Sequence, residues 1–191
     1  ILTPVFSAIF SYMVYHVGGP ALGRIGSAAT LDRVLMILVV STGSFAAYSL
    51  GANNVGNATA LIYAVTEDAT QGVAWSPRII GLFGGIALAV GVLTYSQRVM
   101  ETIGTGITSL DAMTAFSAQF GAAFTVWTFT QFGLPVSTSQ AVVGGVAGAG
   151  LVKGTAAVSK GKLGEIGTAW VLTPTVSAFL TFVLGWLVVG V

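Results

Sequence analysis

The chain has 191 residues, of which 54% are hydrophobic and only 7% charged, against roughly a quarter charged in an average soluble domain. Such a composition belongs in a bilayer, as an all-α, polytopic helical membrane protein. A net charge of +1 offers no field for nucleic acid, and the absence of cysteine together with a single histidine excludes disulfides, thiolate metal sites, cysteine nucleophiles and multi-histidine cages.

The first apolar run, 1–17, opens ILTPVFSAIF with no initiator methionine and no basic stretch before it. No cleaved signal peptide is expected there, and the sequence reads as an excerpt of a longer one. His16 near its end has the chemistry of a proton relay, although a lone interfacial histidine is commonly passive. The following loop, 18–33, holds Arg24 and Arg33, with Asp32 and Arg33 marking a helix start.

The second run, 34–64, would reach about 46 Å as one straight helix, against roughly 30 Å of hydrocarbon. A tilted or broken helix is expected, with Gly51 and Gly56 at the break. Between them lies GANNVGNATA, residues 51–60, which is too polar for a lipid-facing helix. Asn53 and Asn57 are spaced to share a helix face, with Asn54 about 100° away. Each amide offers a carbonyl oxygen for a cation and two N–H donors for an anion. A single asparagine would read as packing glue between helices; three within five residues favour binding. Asn57-Ala58-Thr59 also fits the glycosylation sequon, which reads as a chance match if the segment is buried in the membrane as expected.

Residues 65–78, with Glu67, Asp68 and Arg78, read as a water-facing turn, and 79–97 as the third span. The loop 98–112 holds Glu101 and Asp111, which read as a solvated loop with a helix start near Asp111. Runs 113–131 and 136–152 either cross twice or dip in and return. Between them lies the second polar island, GLPVSTSQ, residues 133–140. Gly133 and Pro135 break the chain, and Pro135 suits the first turn of a new helix. Ser137, Thr138 and Ser139 then fall at a helix start, where unpaired N–H groups favour an anion. Ordinary N-capping accounts for the same residues equally well. Gly81 with Gly85, and Gly144 with Gly148, form GxxxG pairs of the kind that permit tight helix packing.

Loop 153–168 holds Lys153, Lys160 and Lys162, and the last span is 169–190. Six of the seven basic residues fall in loops 18–33, 98–112 and 153–168, which the positive-inside rule places on the cytoplasmic side. Leu2, Thr3, Pro4, Ser7 and Ala8 recur as Leu172, Thr173, Pro174, Ser177 and Ala178. On this match residues 1–17 are the last transmembrane helix of a preceding repeat and 18–191 a second repeat. Five crossings between equivalent points invert the second copy, which is the inverted-repeat plan of secondary transporters, with broken helices or a helical hairpin at the substrate site. A full chain above roughly 340 residues follows from that plan. No carboxylate pair and no Ser/His/Asp set has catalytic spacing, so no enzyme is expected.

Together the islands resemble the two halves of the signature of the inorganic phosphate transporter (PiT) family: GANNVGNA at 51–58 is similar to a GANDVANA-type motif and GLPVSTSQ at 133–140 to a GLPVSTTH-type motif. RVMETIGTGITSLD at 98–111 and WVLTPTVSA at 170–178 also look like family segments. The resemblance implies a membrane-embedded symporter, in the cell membrane, that moves phosphate with sodium or protons by alternating access between two inverted halves. It implies that Asn53, Asn54, Asn57, Ser137, Thr138, Ser139 and Gln140 line the substrate and ion site, with sodium on Asn53, Asn54 and Ser137. Two positions depart from the family pattern: Asn54 stands where Asp is usual, and Gln140 where His is usual. No cofactor is implied beyond a coupling sodium ion. The implied partners are phosphate, the coupling ion, the lipid bilayer and the N-terminal repeat of the same protein, with a homo-oligomer left open. Sulfate in the same machinery and an ion channel are the rival readings.

Overall fold

The computed structural model of the chain describes residues 2–69 and 76–189. Six α-helices follow in order: α1 (Thr3–Leu22), α2 (Ala28–Ala69), α3 (Pro77–Gly106), α4 (Ala112–Gln131), α5 (Thr138–Leu151) and α6 (Lys160–Val189), with a short 3-10 turn at Thr155–Ala157. No strand occurs among the described residues. Helices are what a bilayer demands of a chain that cannot hydrogen-bond its backbone to water. Helices α1, α2, α3 and α6 are long and apolar enough to span a membrane.

Helices α1, α2, α3 and α6 extend past their apolar runs at one end or both, because hydropathy marks the lipid-facing length and not the hydrogen-bonded one. Glu101, expected in a loop, lies on α3 within hydrogen-bond distance of Gln97 one turn earlier, at 3.4 Å. Lys162 and Glu165 pair at 2.7 Å on the first turns of α6, ahead of its apolar length. Glu67 and Asp68, expected in a turn, lie on the last turn of α2; residues 70–75 of that expected turn fall outside the described residues.

The expected break at Gly51 and Gly56 is absent, and α2 runs through both as one helix of 42 residues. A glycine in a helix interior costs only about 1 kcal/mol relative to alanine, and here the surrounding turns are held by packing of Leu50 and Asn53 against neighbouring helices. At about 63 Å, α2 is roughly twice the hydrocarbon thickness, so part of it stands outside the hydrocarbon or it tilts. The break at Gly133 is present: its φ of 66° is the left-handed conformation that ends α4, with the N–H groups of Phe132 and Gly133 returning to Phe129 and Thr130 carbonyls. Pro135 precedes the new helix instead of opening it, because Ser137 takes the cap and α5 starts at Thr138.

The chain divides into two compact units between Val158 and Ser159. In the first, α4 and α5 form an antiparallel hairpin that packs on α1, α2 packs on α4, and α3 packs on α2. The centre is small-residue packing, not a bulky core. Ala122, Val126 and Ala141 form the buried cluster, and Ser7, Ser11, Thr114, Ser117 and Thr125 are buried beside it. All of these hydroxyls except that of Ser11 turn to backbone carbonyls, as Thr125 does to Gly121 at 2.8 Å and Ser7 to Ala141 across the α1–α5 interface. Glycines permit that closeness: a Cβ on Gly144 or Gly148 would strike the backbone of Pro4 or Ala8, and one on Gly121 would lie 2.7 Å from Ser11 N. The second unit is the single helix α6, with Pro174 inside it.

Both ends of the hairpin are fixed. Asp111 caps α4, accepting from Thr114 N–H at 2.9 Å while the Thr114 hydroxyl receives the Asp111 N–H at 2.8 Å. Lys153, just past α5, reaches back to the Asp111 carboxylate at 2.8 Å and to the Ser109 carbonyl at 2.8 Å. Burial alone would raise the Asp111 carboxyl, but hydrogen bonds from Lys153 and Thr114 and the Lys153 charge outweigh it and hold the group below its ordinary value.

Candidate functional site

The two polar islands meet where α2 passes the open tip of the α4–α5 hairpin. Asn53 is 5% exposed, and its amide donates to Thr130 Oγ1 at 3.1 Å. Thr130 in turn donates to the Val126 carbonyl one turn back on α4, which fixes its oxygen as an acceptor. One turn further along α2, the Asn57 amide donates to Asn53 Oδ1 at 3.1 Å, so the pair shares a face as its spacing requires. Asn54, half-buried, places its Nδ2 3.5 Å from Thr138 Oγ1, at the outer limit of a hydrogen bond.

Thr138 is the first residue of α5, and Ser137 before it is the N-cap, its Oγ accepting from Gln140 N–H at 3.3 Å. Capping is therefore what the Ser137 side chain does in this state. The first-turn N–H groups of a helix have no intrahelical acceptors; Ser137 satisfies one of them, and the turn begins beside Asn54. Ser139 is exposed and Gln140 half-buried, and Gln140 joins the site through its backbone N–H. Leu50, Val136 and Val142 pack on the cluster of Ala122, Val126 and Ala141, giving the polar groups an apolar floor.

Asn53, Asn54, Asn57 and Thr138 are thus brought into one neighbourhood, with Ser137 at its edge as a cap. Thr130, which sequence reasoning passed over, completes it; its signal was its place eight residues before Thr138 across a turn that folds back. Every group named is uncharged, and among the described residues no cluster of three or more His, Asp or Glu stands anywhere that could hold a metal. Amide and hydroxyl oxygens suit a hard monovalent or divalent cation, and amide and helix-end N–H groups suit an oxyanion. The neighbourhood is open on one side, since Asn57, Ser137, Ser139 and the tip residues Gly133, Leu134 and Pro135 are exposed.

Comparison with known proteins shows the family. Residues 2–181 match the pattern of the Phosphate transporter family. Relatives bearing the name "Putative phosphate permease" include one from Thermococcus kodakarensis, 39% identical over 79% of this chain and 38% of its own length. Another, from Pyrococcus horikoshii, is 34% identical over 95% of this chain and 45% of its own length. A third, from Haemophilus influenzae, is 33% identical over 83% of this chain and 39% of its own length. The chain therefore spans less than half the length of these relatives. No solved structure gives a significant match.

Proposed function

The chain belongs to the phosphate transporter family and forms part of a multi-pass membrane protein, and from that membership we propose that the whole protein carries inorganic phosphate across the membrane by secondary transport, coupled to sodium, with this chain supplying one of two inverted halves. The observation that carries the reading is the juxtaposition of the two islands. Asn54 on α2 and Thr138 at the start of α5 come together from 84 residues apart, beside a buried Asn53 already held by Thr130.

Depth supports it. α5 is about 21 Å long, short of the roughly 30 Å a span requires. Its start lies level with Asn54, and beyond Asn54 the helix α2 continues through residues 55–66, about 18 Å, before reaching the first charge at Glu67. The hairpin enters the membrane, turns at Gly133–Ser137 inside it and returns. Non-helical backbone at that depth needs protein or a water-filled cavity around it, which is what a transport site provides.

Neutrality supports coupling. Asparagine and threonine can exchange hydrogen bonds with a dehydrating phosphate, but they cannot balance its charge, and an uncompensated anion at membrane depth costs several kcal/mol or more. Cations entering with the anion offset that cost. Sodium accepts amide and hydroxyl oxygens, so Asn53, Asn54, Ser137 and Thr138 are its ligands in this half. Alternating access follows when the second half closes the open side and rocks about the site.

The test is accumulation of labelled phosphate by the full-length protein in vesicles. Saturable uptake that collapses when sodium is equal on both sides supports the reading. Uptake driven by a proton gradient and indifferent to sodium replaces the coupling ion. Complete competition by sulfate at equal concentration replaces the substrate, and non-saturating flux replaces the transporter with a channel.

A further inference from the structure

We propose that α6 seats its Pro174–Ala178–Thr181 face on a glycine-lined hairpin helix in the other half of the protein, as α1 seats its own face on α5 in this one. The inference rests on the two-repeat reading above and goes beyond it, by assigning α6 a partner.

The repeated residues are the ones that do the packing. In α1, the backbone at Pro4 and Ala8 fills the space a side chain on Gly144 and Gly148 would need. Ser7 donates to the Ala141 carbonyl and lies 3.1 Å from where a Cβ of Gly145 would stand. Thr3, Ser7 and Ser11 are buried, Ser11 lying against Gly121 of α4, the other arm of the hairpin. The same residues recur in α6 as Thr173, Pro174, Ser177 and Ala178, and Ser11 has its counterpart in Thr181. Positions 174, 178 and 181 lie on one face, spaced by four and three. A repeat confined to apolar filler would say little; this one preserves a contact surface.

Within its own unit, α6 leaves that surface uncovered. Every residue from Val171 to Phe182 is exposed in that unit, and the Thr181 hydroxyl is turned back to the Ser177 carbonyl at 2.8 Å. A stripe of Pro, Ser, Ala and Thr between Leu172, Phe179 and Leu180 gains nothing from lipid but permits close approach of a helix backbone. A second copy of this chain cannot be the occupant, because its Gly144–Gly148 face already holds its own α1. The relatives have more than half their length outside the matched segment, and an inverted first half would contain a hairpin helix with glycines four apart. The last helix of each repeat is then lent to the hairpin of the other, so the two halves are interlocked.

Disulfide mapping in the full-length protein, freed of native cysteines elsewhere, tests this. Ala178→Cys is paired with single cysteines along the first half's glycine-rich hairpin helix and, separately, along α5. The proposal expects cross-links with the first-half helix, recurring every three to four positions, and none with α5. Cross-links with α5 overturn it, as does failure to cross-link with any position while Ala8→Cys cross-links with α5 in the same experiment. A second readout is thermal: Ala178→Leu should lower the melting midpoint as Ala8→Leu does, and Val176→Phe, on the opposite face, should not. An unchanged midpoint for Ala178→Leu contradicts the docking. Phosphate uptake by the parent protein is read independently, so failure of the docking leaves the transport reading standing or falling on its own.

Discussion

Asn54 Nδ2 stands 3.5 Å from Thr138 Oγ1, joining the middle of α2 to the first turn of α5 across 84 residues of sequence. The contact is long and between neutral groups, so it is worth little as a fastener. Its value is positional: an amide, a hydroxyl and a helix start meet in the same small volume. Replacing Asn54 with Asp puts a carboxylate there. Attraction between unit charges a few ångströms apart outweighs that of an amide dipole even when screened, so Asn54→Asp should lower the sodium concentration for half-maximal phosphate uptake by about tenfold. Titration of uptake against sodium in vesicles measures it.

Thr130 is the acceptor for a nearly buried amide. Thr130→Val keeps the shape and removes the oxygen, leaving the Asn53 donor unsatisfied, which costs roughly 1–3 kcal/mol. A lower melting midpoint in detergent is expected, with Thr128→Val, whose hydroxyl serves only its own helix at 2.7 Å from the Phe124 carbonyl, giving a smaller change.

Gly148→Leu inserts a side chain where the backbone of Ala8 lies. Neither α1 nor α5 can yield without opening the interface, so the expected loss is about 3 kcal/mol or more. Gly133→Ala meets no neighbour but must hold a φ of 66°, which costs about 1 kcal/mol. The order of the two melting midpoints checks both statements.

The Asp111–Lys153 pair closes the base of the hairpin at 2.8 Å, with both side chains partly exposed. Because the folded Asp111 carboxyl sits below its ordinary value, its contribution is present above the unfolded value near 4 and is lost as pH falls through the folded one. Solvent screening limits it to about 1 kcal/mol. Lys153→Ala should therefore lower stability at neutral pH, and the difference from the parent should vanish in strong acid. Melting curves across pH give the comparison.

Much of this was legible in the sequence. The apolar runs located the spans, because burial in lipid leaves a long unbroken signal, and the two islands stood out against it. The one-turn spacing of Asn53 and Asn57, the turn at Gly133 and the cap at Asp111 were each readable from local chemistry. The helix breaks at Gly51 and Gly56 were misread, because a glycine permits a break without requiring one and neighbouring helices decided the matter. Pro135 was read into the first turn of α5 but stands three residues before Thr138, where that helix starts, because Ser137 takes the N-cap. Thr130 was passed over because its partner lies 77 residues away, and only its place across the turn from Thr138 hinted at it. So was the purpose of Gly144 and Gly148 beyond close packing in general: nothing local says that Pro4 and Ala8 lie against them.

The central claim is that the meeting of α2 with the tip of the α4–α5 hairpin is the ion and substrate site of this half. The most direct test is sodium-driven uptake of labelled phosphate by full-length protein carrying Asn53→Ala or Ser137→Ala, with membrane insertion verified for each. The account predicts that both variants insert normally and lose sodium-dependent uptake; near-normal uptake by both would contradict it.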